Sequence, residues 1–418
     1  MEASLYVHVP YCERKKCDYC DFFSIPIDLN KNLNEKDDPR LAQFIENILL
    51  EGEELFSKWK PQKVPTLYIG GGTPSVLGSA GISRLLEGLT ALIGRYSPLP
   101  EEITVEANPG SADEAFMRSA REGGATRLSL GIQTFHAPSR EAVSRAGTEK
   151  LLNDSLALAA QYFPGAFSVD LVTGFPFQNE EIILGDIERV AAFSPAHVSL
   201  YALTLEQGTP LALRASINKI DPKLKSTGKS FLPGPDEADR LWLSGRDKLE
   251  KSGFYQYEVS NFCRSDFYPR NINPGNIYPG NCCWHNVRYW RMLNWLALGP
   301  SASGTIIDDE NGTGTRFTYA TEEMTKEPKI LYEELDQLTL IKETFIMGFR
   351  YLEGPDWDLF KRRFHIDIAD CIPKTLSSWM KMGLLKGDRP ALTKEGLLLL
   401  NRFLMAALEE LDLLRAEW

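Results

Sequence analysis

Six short apolar runs punctuate the first half of the chain: LYVHVP (5–10), TLYIGGG (66–72), EITVEANP (102–109), RLSLGIQ (127–133), FSVDLVTGF (167–175) and HVSLYALTL (197–205). Each is rich in β-branched or aromatic residues and is closed by Gly, Pro or a polar residue, which predicts a strand. Helical spacing lies between them. In RLAQFIENILLEGEELFSKW, Leu41, Phe44, Ile45, Ile48 and Leu49 share one helical face. SAGISRLLEGLTALIGRY (79–96) and DSLALAAQYF (154–163) repeat that pattern. Six strands alternating with helices predict parallel βα units, as a barrel or an open sheet.

After Leu205 the rhythm stops. Residues 218–237 are rich in Lys, Pro and Gly and read as a linker, and residues 264–281 read as an irregular insertion. From about residue 331 the pattern turns helical, in ILYEELDQLTLIKETFIMGF (330–349), IPKTLSSWMKMGLL (372–385) and LTKEGLLLLNRFLMAALEELDLL (392–414). Thr393 is the expected N-cap of the last of these. Three regions follow: an α/β partial barrel over 1–235, a connecting region over 236–330, and a mostly helical, winged-helix-like domain over 331–418.

Charge and apolar content narrow the class. The formal net charge is −11, which argues against nucleic acid as a partner. No run of about 18 apolar residues is evident, so no bilayer-spanning segment is expected. The N-terminus lacks a basic stretch followed by an apolar one, so a cytoplasmic location with reduced thiols is expected.

Three of the seven cysteines, Cys12, Cys17 and Cys20, fall within HVPYCERKKCDYCDF (8–22). Three thiolates can hold a [4Fe–4S] cluster and leave one iron open to a ligand. Zinc is the competitor, though structural zinc usually takes four protein ligands and His8 is the nearest fourth candidate. A metal-free trio is the third reading. The trio follows the first strand at its C-terminal end, where βα barrels collect their active sites. Other strands end in GGGTP (70–74), where the backbone can approach a ligand closely, and in Glu106, Gln133 and Asp170, with Arg145 in the helix after the fourth. Each alone is as readily an ordinary solvated or ion-paired residue. Together they place polar groups around one barrel mouth.

In LYVHVPYC…CDYCDF, YIGGGTPS, EANPG, RLSLGIQTF, VDLVTGFP, HVSLYALTLEQGTP, YEVSNF, HNVRYW, FIMGFRYLEG and LTKEGLLLLNRF, the chain resembles radical S-adenosylmethionine (SAM) proteins. It resembles more narrowly the oxygen-independent coproporphyrinogen III oxidase group, and within it the HemW-type heme chaperones. The resemblance implies a partial (β/α)6 TIM-like barrel. It implies iron ligation by Cys12, Cys17 and Cys20, with Tyr6 and Tyr19 lining cluster and SAM. It implies SAM contacts from Gly71, Gly72 and Thr73 and a ribose contact from Glu106. Gln133, Arg145, Asp170 and Ala202 match the set that holds a second SAM in the oxidases. When bound, a reduced cluster passes an electron to SAM and releases a 5′-deoxyadenosyl radical.

Four departures shape the functional expectation. The cysteine spacing is Cys-x4-Cys-x2-Cys rather than Cys-x3-Cys-x2-Cys, through ERKK, and one more residue adds at most about 3.6 Å of reach. Phe22 stands where the oxidases carry a further cysteine. LGPSASG (298–304) has Ser301, Ala302 and Ser303 where Gly-Ala-His is usual. The insertion at 264–281 precedes HNVRYW, a HemW-type signature, in which His285 is the candidate heme ligand and a hydrogen-bonded core histidine the alternative; Cys282 and Cys283 offer a thiolate or simply pack. The expected function is a heme chaperone that binds a [4Fe–4S] cluster, SAM and heme and delivers heme to an acceptor protein of the respiratory chain. The alternatives are an oxygen-independent coproporphyrinogen III oxidase and a heme-binding protein with a degenerate cluster site.

Overall fold

Alternate residues of the predicted strands face two environments. Leu5, Val7 and Val9, Leu67 and Ile69, Ile103 and Val105, and Leu128, Leu130 and Ile132 are buried and point toward the surrounding helices. Ser4, Tyr6 and His8, Thr66 and Tyr68, Glu102, Thr104 and Glu106, and Arg127 and Ser129 alternate with them and fill the lumen. The period of two therefore sorts a dry outer layer from a polar interior.

The computed structural model describes residues 1–13, 16–27, 39–216, 232–264, 281–320 and 329–415. Arg14 and Lys15 of the cysteine spacer, and most of the 218–237 linker and the 264–281 insertion, lie outside the described residues. The six predicted strands are β1 (Ser4–Val9), β2 (Thr66–Gly71), β3 (Glu102–Ala107), β4 (Arg127–Gln133), β5 (Phe167–Thr173) and β6 (His197–Ala202). Six more follow: β7 (Phe254–Gln256), β8 (Asn261–Arg264), β9 (Trp295–Leu298), β10 (Ser303–Asp308), β11 (Thr313–Tyr319) and β12 (Ile330–Leu335). All twelve form one sheet in the order β12-β11-β10-β9-β1-β2-β3-β4-β5-β6-β8-β7. The run from β9 to β6 is parallel, and the flanking strands are antiparallel. The sheet is thus a partial barrel, with a seventh parallel strand, β9, on the outer side of β1.

Helices α1 (Pro39–Trp59), α2 (Gly78–Gly94), α3 (Glu114–Glu122), α4 (Ala137–Ala142), α5 (Glu149–Tyr162) and α6 (Glu180–Ala192) connect the strands. Asp113, Thr148 and Asn179 cap α3, α5 and α6 by accepting from Phe116, Leu151 and Ile182 amides. The segment Pro74–Gly94 is long and apolar enough by composition to cross a bilayer, with mean hydropathy 1.4, against the expectation that no such stretch exists. Half of it is buried in the fold, where Ile82, Leu85, Leu86, Leu89 and Ile93 pack in the barrel's outer layer. Its apolarity is that of a core helix.

Helices α7 (Pro210–Ser216), α8 (Pro235–Lys251) and α9 (Trp284–Trp290) follow the barrel strands. The C-terminal domain contains α10 (Gln337–Gly348), α11 (Trp357–Phe364), α12 (Pro373–Lys381), α13 (Leu400–Arg415) and a two-stranded wing pairing Leu385–Lys386 with Ala391–Leu392. ILYEEL, read from its sequence as the start of a helix, is strand β12. It pairs along β11, and Asp336 then caps α10 by accepting from Thr339 N at 2.8 Å. Thr393 caps the turn Lys394–Leu397 as expected, accepting from Gly396 N at 3.0 Å. Phe345, Phe349, Phe360, Trp379 and Phe403 form the core of this domain.

Candidate functional site

The cysteine loop is anchored at both ends. Tyr11–Glu13 pairs in parallel with Ile25–Ile27, with Cys12 opposite Pro26. Between them the loop docks on the barrel rim. Asp18 N donates to Val143 O at 3.0 Å, Asp18 O accepts from Leu211 N at 2.8 Å, and Asp18 Oδ2 accepts from Arg214 at 2.9 Å. The Tyr19 ring packs on Phe175 with centroids 4.9 Å apart. This docking turns Cys12, Cys17 and Cys20, all half-buried, toward a cavity of about 440 Å³ at the C-terminal ends of the strands.

Two of the three sulfurs accept hydrogen bonds, Cys12 from Thr73 Oγ1 at 3.5 Å and Cys17 from Arg145 Nη1 at 3.6 Å. Burial pushes the Cys20 thiol up to about 11, so metal binding there would expel a proton. Among the described residues no three His, Cys, Asp or Glu groups converge closely enough to share one metal ion.

Opposite the cysteines stands a wall built from strand ends. Gly71 has φ +107°, and a Cβ there would lie 2.6 Å from His8 Nδ1. At Gly72 a Cβ would lie 2.5 Å from Tyr11 O. Only glycine lets β2 cross this closely over the start of the cysteine loop. Their amides are already committed: Gly71 N donates to Glu106 Oε2 at 3.2 Å and Gly72 N to Val9 O at 2.8 Å. The backbone donors expected to meet a ligand here are therefore spent within the protein.

Glu106 also accepts from Tyr68 OH at 2.6 Å. Burial pushes its carboxyl up to about 7; the Tyr68 hydrogen bond pulls it back and Asp170 adds to the rise. Burial also raises Asp170, which accepts from Ser129 Oγ at 3.4 Å. At the end of β4 the pairing register slips between Gly131 and Gln133, and Gln133 is forced to φ +69°. Arg140 holds this bulge by donating to Ile132 O at 2.8 Å and Thr134 O at 3.0 Å. Asp186 accepts from Thr134 Oγ1 at 2.6 Å and Phe135 N at 3.1 Å. Arg145, thus positioned, donates to Gly131 O at 2.6 Å and Asn108 Oδ1 at 3.2 Å. Burial alone would lower this guanidinium, but Tyr19 and Cys17 beside it hold it above its ordinary value.

Comparison with known proteins places this geometry. A radical SAM superfamily model matches residues 6–190, and a HemN C-terminal domain model matches residues 335–399. The mouse protein called radical S-adenosyl methionine domain-containing protein 1, mitochondrial, is 31% identical over 98% of this chain and 88% of its own length. The Haemophilus influenzae protein called heme chaperone HemW is 31% identical over 84% of this chain and 83% of its own. The Escherichia coli HemN structure, titled a coproporphyrinogen III oxidase and radical SAM enzyme, superposes with a TM-score of 0.72 at 21% identity, covering 97% of this chain and 89% of that one. The chain belongs to the radical SAM superfamily. Within it, the chain is grouped with proteins named HemW, and it shares its fold with HemN.

Twelve of the fourteen expected site residues line this one cavity: Cys12, Cys17, Cys20, Tyr19, Gly71, Gly72, Thr73, Glu106, Gln133, Arg145, Asp170 and Ala202. Tyr6 does not. It lies one layer deeper in the lumen, with its hydroxyl 3.1 Å from His8 Nδ1 and its ring beside Tyr68 and His285.

His285 is farther still. α9 docks at the N-terminal ends of the strands, where Glu102 accepts from Trp284 N and His285 N, each at 2.9 Å. The His285 ring bonds Thr66 Oγ1 through Nδ1 at 2.8 Å and Tyr289 OH through Nε2 at 2.9 Å. Thr66 opens β2 and Gly71, which lines the cavity, closes it, so the two ends lie about 16 Å apart along the strand. Only 1% of His285 is exposed, and burial pushes its imidazole down to about 3. The packed-histidine alternative describes this site, and both nitrogens are unavailable to a heme iron. Cys282 and Cys283 are buried nearby, with Cys263 Sγ 3.2 Å from Cys282 Sγ.

Sequence reasoning overlooked Asn108, Ser129 and Tyr201, which also line the cavity. Ser129 and Tyr201 were readable from strand parity, since they sit on the same face as Gln133 and on that of Ser199. Asn108 follows β3 immediately and carried no such signal.

Proposed function

We propose that this chain is a radical SAM heme chaperone that holds a [4Fe–4S] cluster and SAM at the barrel mouth, binds heme, and hands it to an acceptor protein. The observation that carries the cluster reading is the donor set: three half-buried cysteines around one cavity, two of them already receiving hydrogen bonds from Thr73 and Arg145. Donors of this kind orient metal-bound sulfur and tune its potential. Sulfurs spread around a cavity, with no three His, Cys, Asp or Glu groups converging among the described residues, suit separate irons of a cluster better than a single zinc. When bound and reduced, such a cluster supplies one electron to the sulfonium of SAM.

The chain's own residues do the rest. Glu106, ionised above about pH 7, accepts hydrogen bonds from hydroxyls of a bound nucleoside. Arg145 holds charge complementary to a thiolate or a carboxylate. The absence of a Cβ at Gly72 keeps the floor of the cavity low. Phe22 lines the cavity and is 63% exposed, so an apolar ring stands where a further cysteine would serve oxidase chemistry. Relatives named heme chaperones, at about 30% identity, support the heme reading. A cytoplasmic location with a reducing thiol pool suits a site built from free cysteines.

Anaerobic reconstitution tests this. The wild-type chain is expected to hold about four irons with matching sulfide, and Cys17→Ala to lose the cluster absorbance. Fewer than about three irons per chain would overturn the cluster. Vinyl product from coproporphyrinogen III would overturn the chaperone reading in favour of an oxidase.

A further inference from the structure

The insertion at 264–281 is bracketed by two cysteines that the barrel-mouth site does not use, Cys263 and Cys282. They stand nineteen positions apart in the chain, yet their sulfurs are 3.2 Å apart. Both are free thiols, and among the described residues the hydrogen-bond partner of each is the other. Each is held by a fixed backbone. Cys263 lies within β8, opposite His197 of β6 on one side and Tyr255 of β7 on the other. Cys282 directly precedes Cys283, the residue that opens α9 and whose amide donates to Tyr257 OH at 3.2 Å. Tyr257, Val287 and Tyr351 pack around the pair.

Two thiols in contact can share a metal, pack, or join. A metal needs further ligands, and among the described residues no third His, Cys, Asp or Glu converges on them. Cys283 is next in the chain, but its sulfur faces Glu102 Oε1 at 3.8 Å. A disulfide bond is about 2.05 Å long, so roughly 1 Å of approach would join Cys263 to Cys282. The pair is also reachable from one side. Cys282 lines a cavity of about 170 Å³ with Arg127, Asn281 and Trp284, whereas Cys263 sits behind it. A space of that size, at about 30 Å³ per water, admits a small oxidant.

We propose that Cys263 and Cys282 are a redox pair that a peroxide closes into a disulfide across the base of the insertion. The Cys282 thiolate attacks one peroxide oxygen. The O–O bond breaks, leaving a sulfenic acid on Cys282 and a hydroxide that leaves as water with the thiol proton. Cys263 Sγ then attacks the sulfenic sulfur, the S–O bond breaks, and the departing hydroxide takes the Cys263 proton. Two thiols lose two electrons and two protons, and the peroxide becomes two waters. Burial pushes the Cys282 thiol up and the hydrogen bond with Cys263 adds to the rise, so the first step is slow and needs peroxide in excess. The bond would tie β8 to the start of α9 and close the insertion into a loop, which restricts the unfolded chain.

The test uses the full chain with its cluster loaded. It is treated with excess hydrogen peroxide, quenched with catalase, alkylated in denaturant and digested with trypsin without reduction. Cleavage after Lys251, Arg264, Arg270 and Arg288 places Cys263 in residues 252–264 and Cys282 with Cys283 in residues 271–288. Most of 252–264 is expected to be recovered linked to 271–288 through Cys282, and dithiothreitol is expected to release it. Cys263→Ala and Cys282→Ala are expected to lose the linked peptide and Cys283→Ala to keep it. Oxidised wild type is expected to unfold at a higher urea midpoint than reduced wild type, with no such difference in Cys263→Ala. The proposal is overturned if Cys263 is recovered alkylated after the same treatment has oxidised Cys12, Cys17 and Cys20. It is equally overturned if the link runs through Cys283 or persists in Cys282→Ala.

Discussion

Glu51 lies on the inner face of α1 and is 6% exposed. Among the described residues, neither of its carboxylate oxygens has a hydrogen-bond partner. Burial pushes its carboxyl from 4.5 up to about 8; the Gly299 amide, near but out of hydrogen-bond alignment, offsets part of the rise, and Glu54 adds to it. The folded state therefore binds a proton that the unfolded chain releases above about pH 4.5. Stability from this group is full below that pH and is lost as pH rises toward 8, at up to about 1.4 kcal/mol per pH unit. The displacement from 4.5 to about 8 sets an upper bound near 5 kcal/mol, at about 1.36 kcal/mol per unit. Local relaxation brings the expected figure to roughly 2–4 kcal/mol.

Glu51→Gln removes the titration. The new amide is buried without partners and costs about 1–3 kcal/mol at every pH. The variant is thus expected to equal or trail wild type at pH 5 and to exceed it at pH 9. Urea midpoints at one-unit steps from pH 5 to 9, for both proteins in the same cluster state, measure the difference. Glu106 and Asp186, pushed up by burial to about 7 and about 6, titrate in both proteins and cancel. Parallel pH profiles for wild type and Glu51→Gln would refute the reasoning, whatever the offset between them.

Arg145→Ala removes the donors to Cys17, Gly131 O and Asn108, and a reconstituted cluster should lose iron to a chelator faster; Arg145→Lys keeps the charge without the fork and should fall between. Equal iron retention in all three would remove Arg145 from the cluster's surroundings. His285→Ala strands the Tyr289 hydroxyl and takes one of two partners from Thr66 Oγ1, which still donates to Ser4 Oγ, and should cost about 1–3 kcal/mol in denaturant unfolding, with no change in the hemin spectrum. SAM affinity should rise about tenfold from pH 6 to pH 8 as Glu106 ionises through about 7, and calorimetry on Glu106→Gln should show that dependence flattened.

The barrel was readable because its strands alternate and its chemistry sits at their ends. Gly71, Glu106, Gln133 and Ala202 each terminate or nearly terminate a strand, so a list of strand ends became a list of cavity residues. Parity gave direction without depth. Tyr6 points into the lumen as its alternation requires, yet two residues of strand put it beneath His8 and out of the cavity. β9 was missed because WLAL is four residues long and its partner lies at the other end of the chain. The place of His285 depends on which end of the barrel α9 docks against, and no local pattern carries that information. ILYEEL looked helical beside a true helix, and only pairing with β11 makes it a strand.

The pairing of β1 with β9 sets an order of events in synthesis. Ser4 lies opposite Trp295, and Gly299 passes so close to His8 O that a Cβ would sit 2.5 Å from it. The strand that carries the cysteine loop leaves the ribosome first but has one edge unpaired until β9 emerges. At about 5–20 residues per second that interval is roughly 15–60 s. The nascent loop thus has its sulfurs long before it has its platform. A chain truncated before residue 295 would keep all twelve cavity residues and still lack the edge that holds three of them in place.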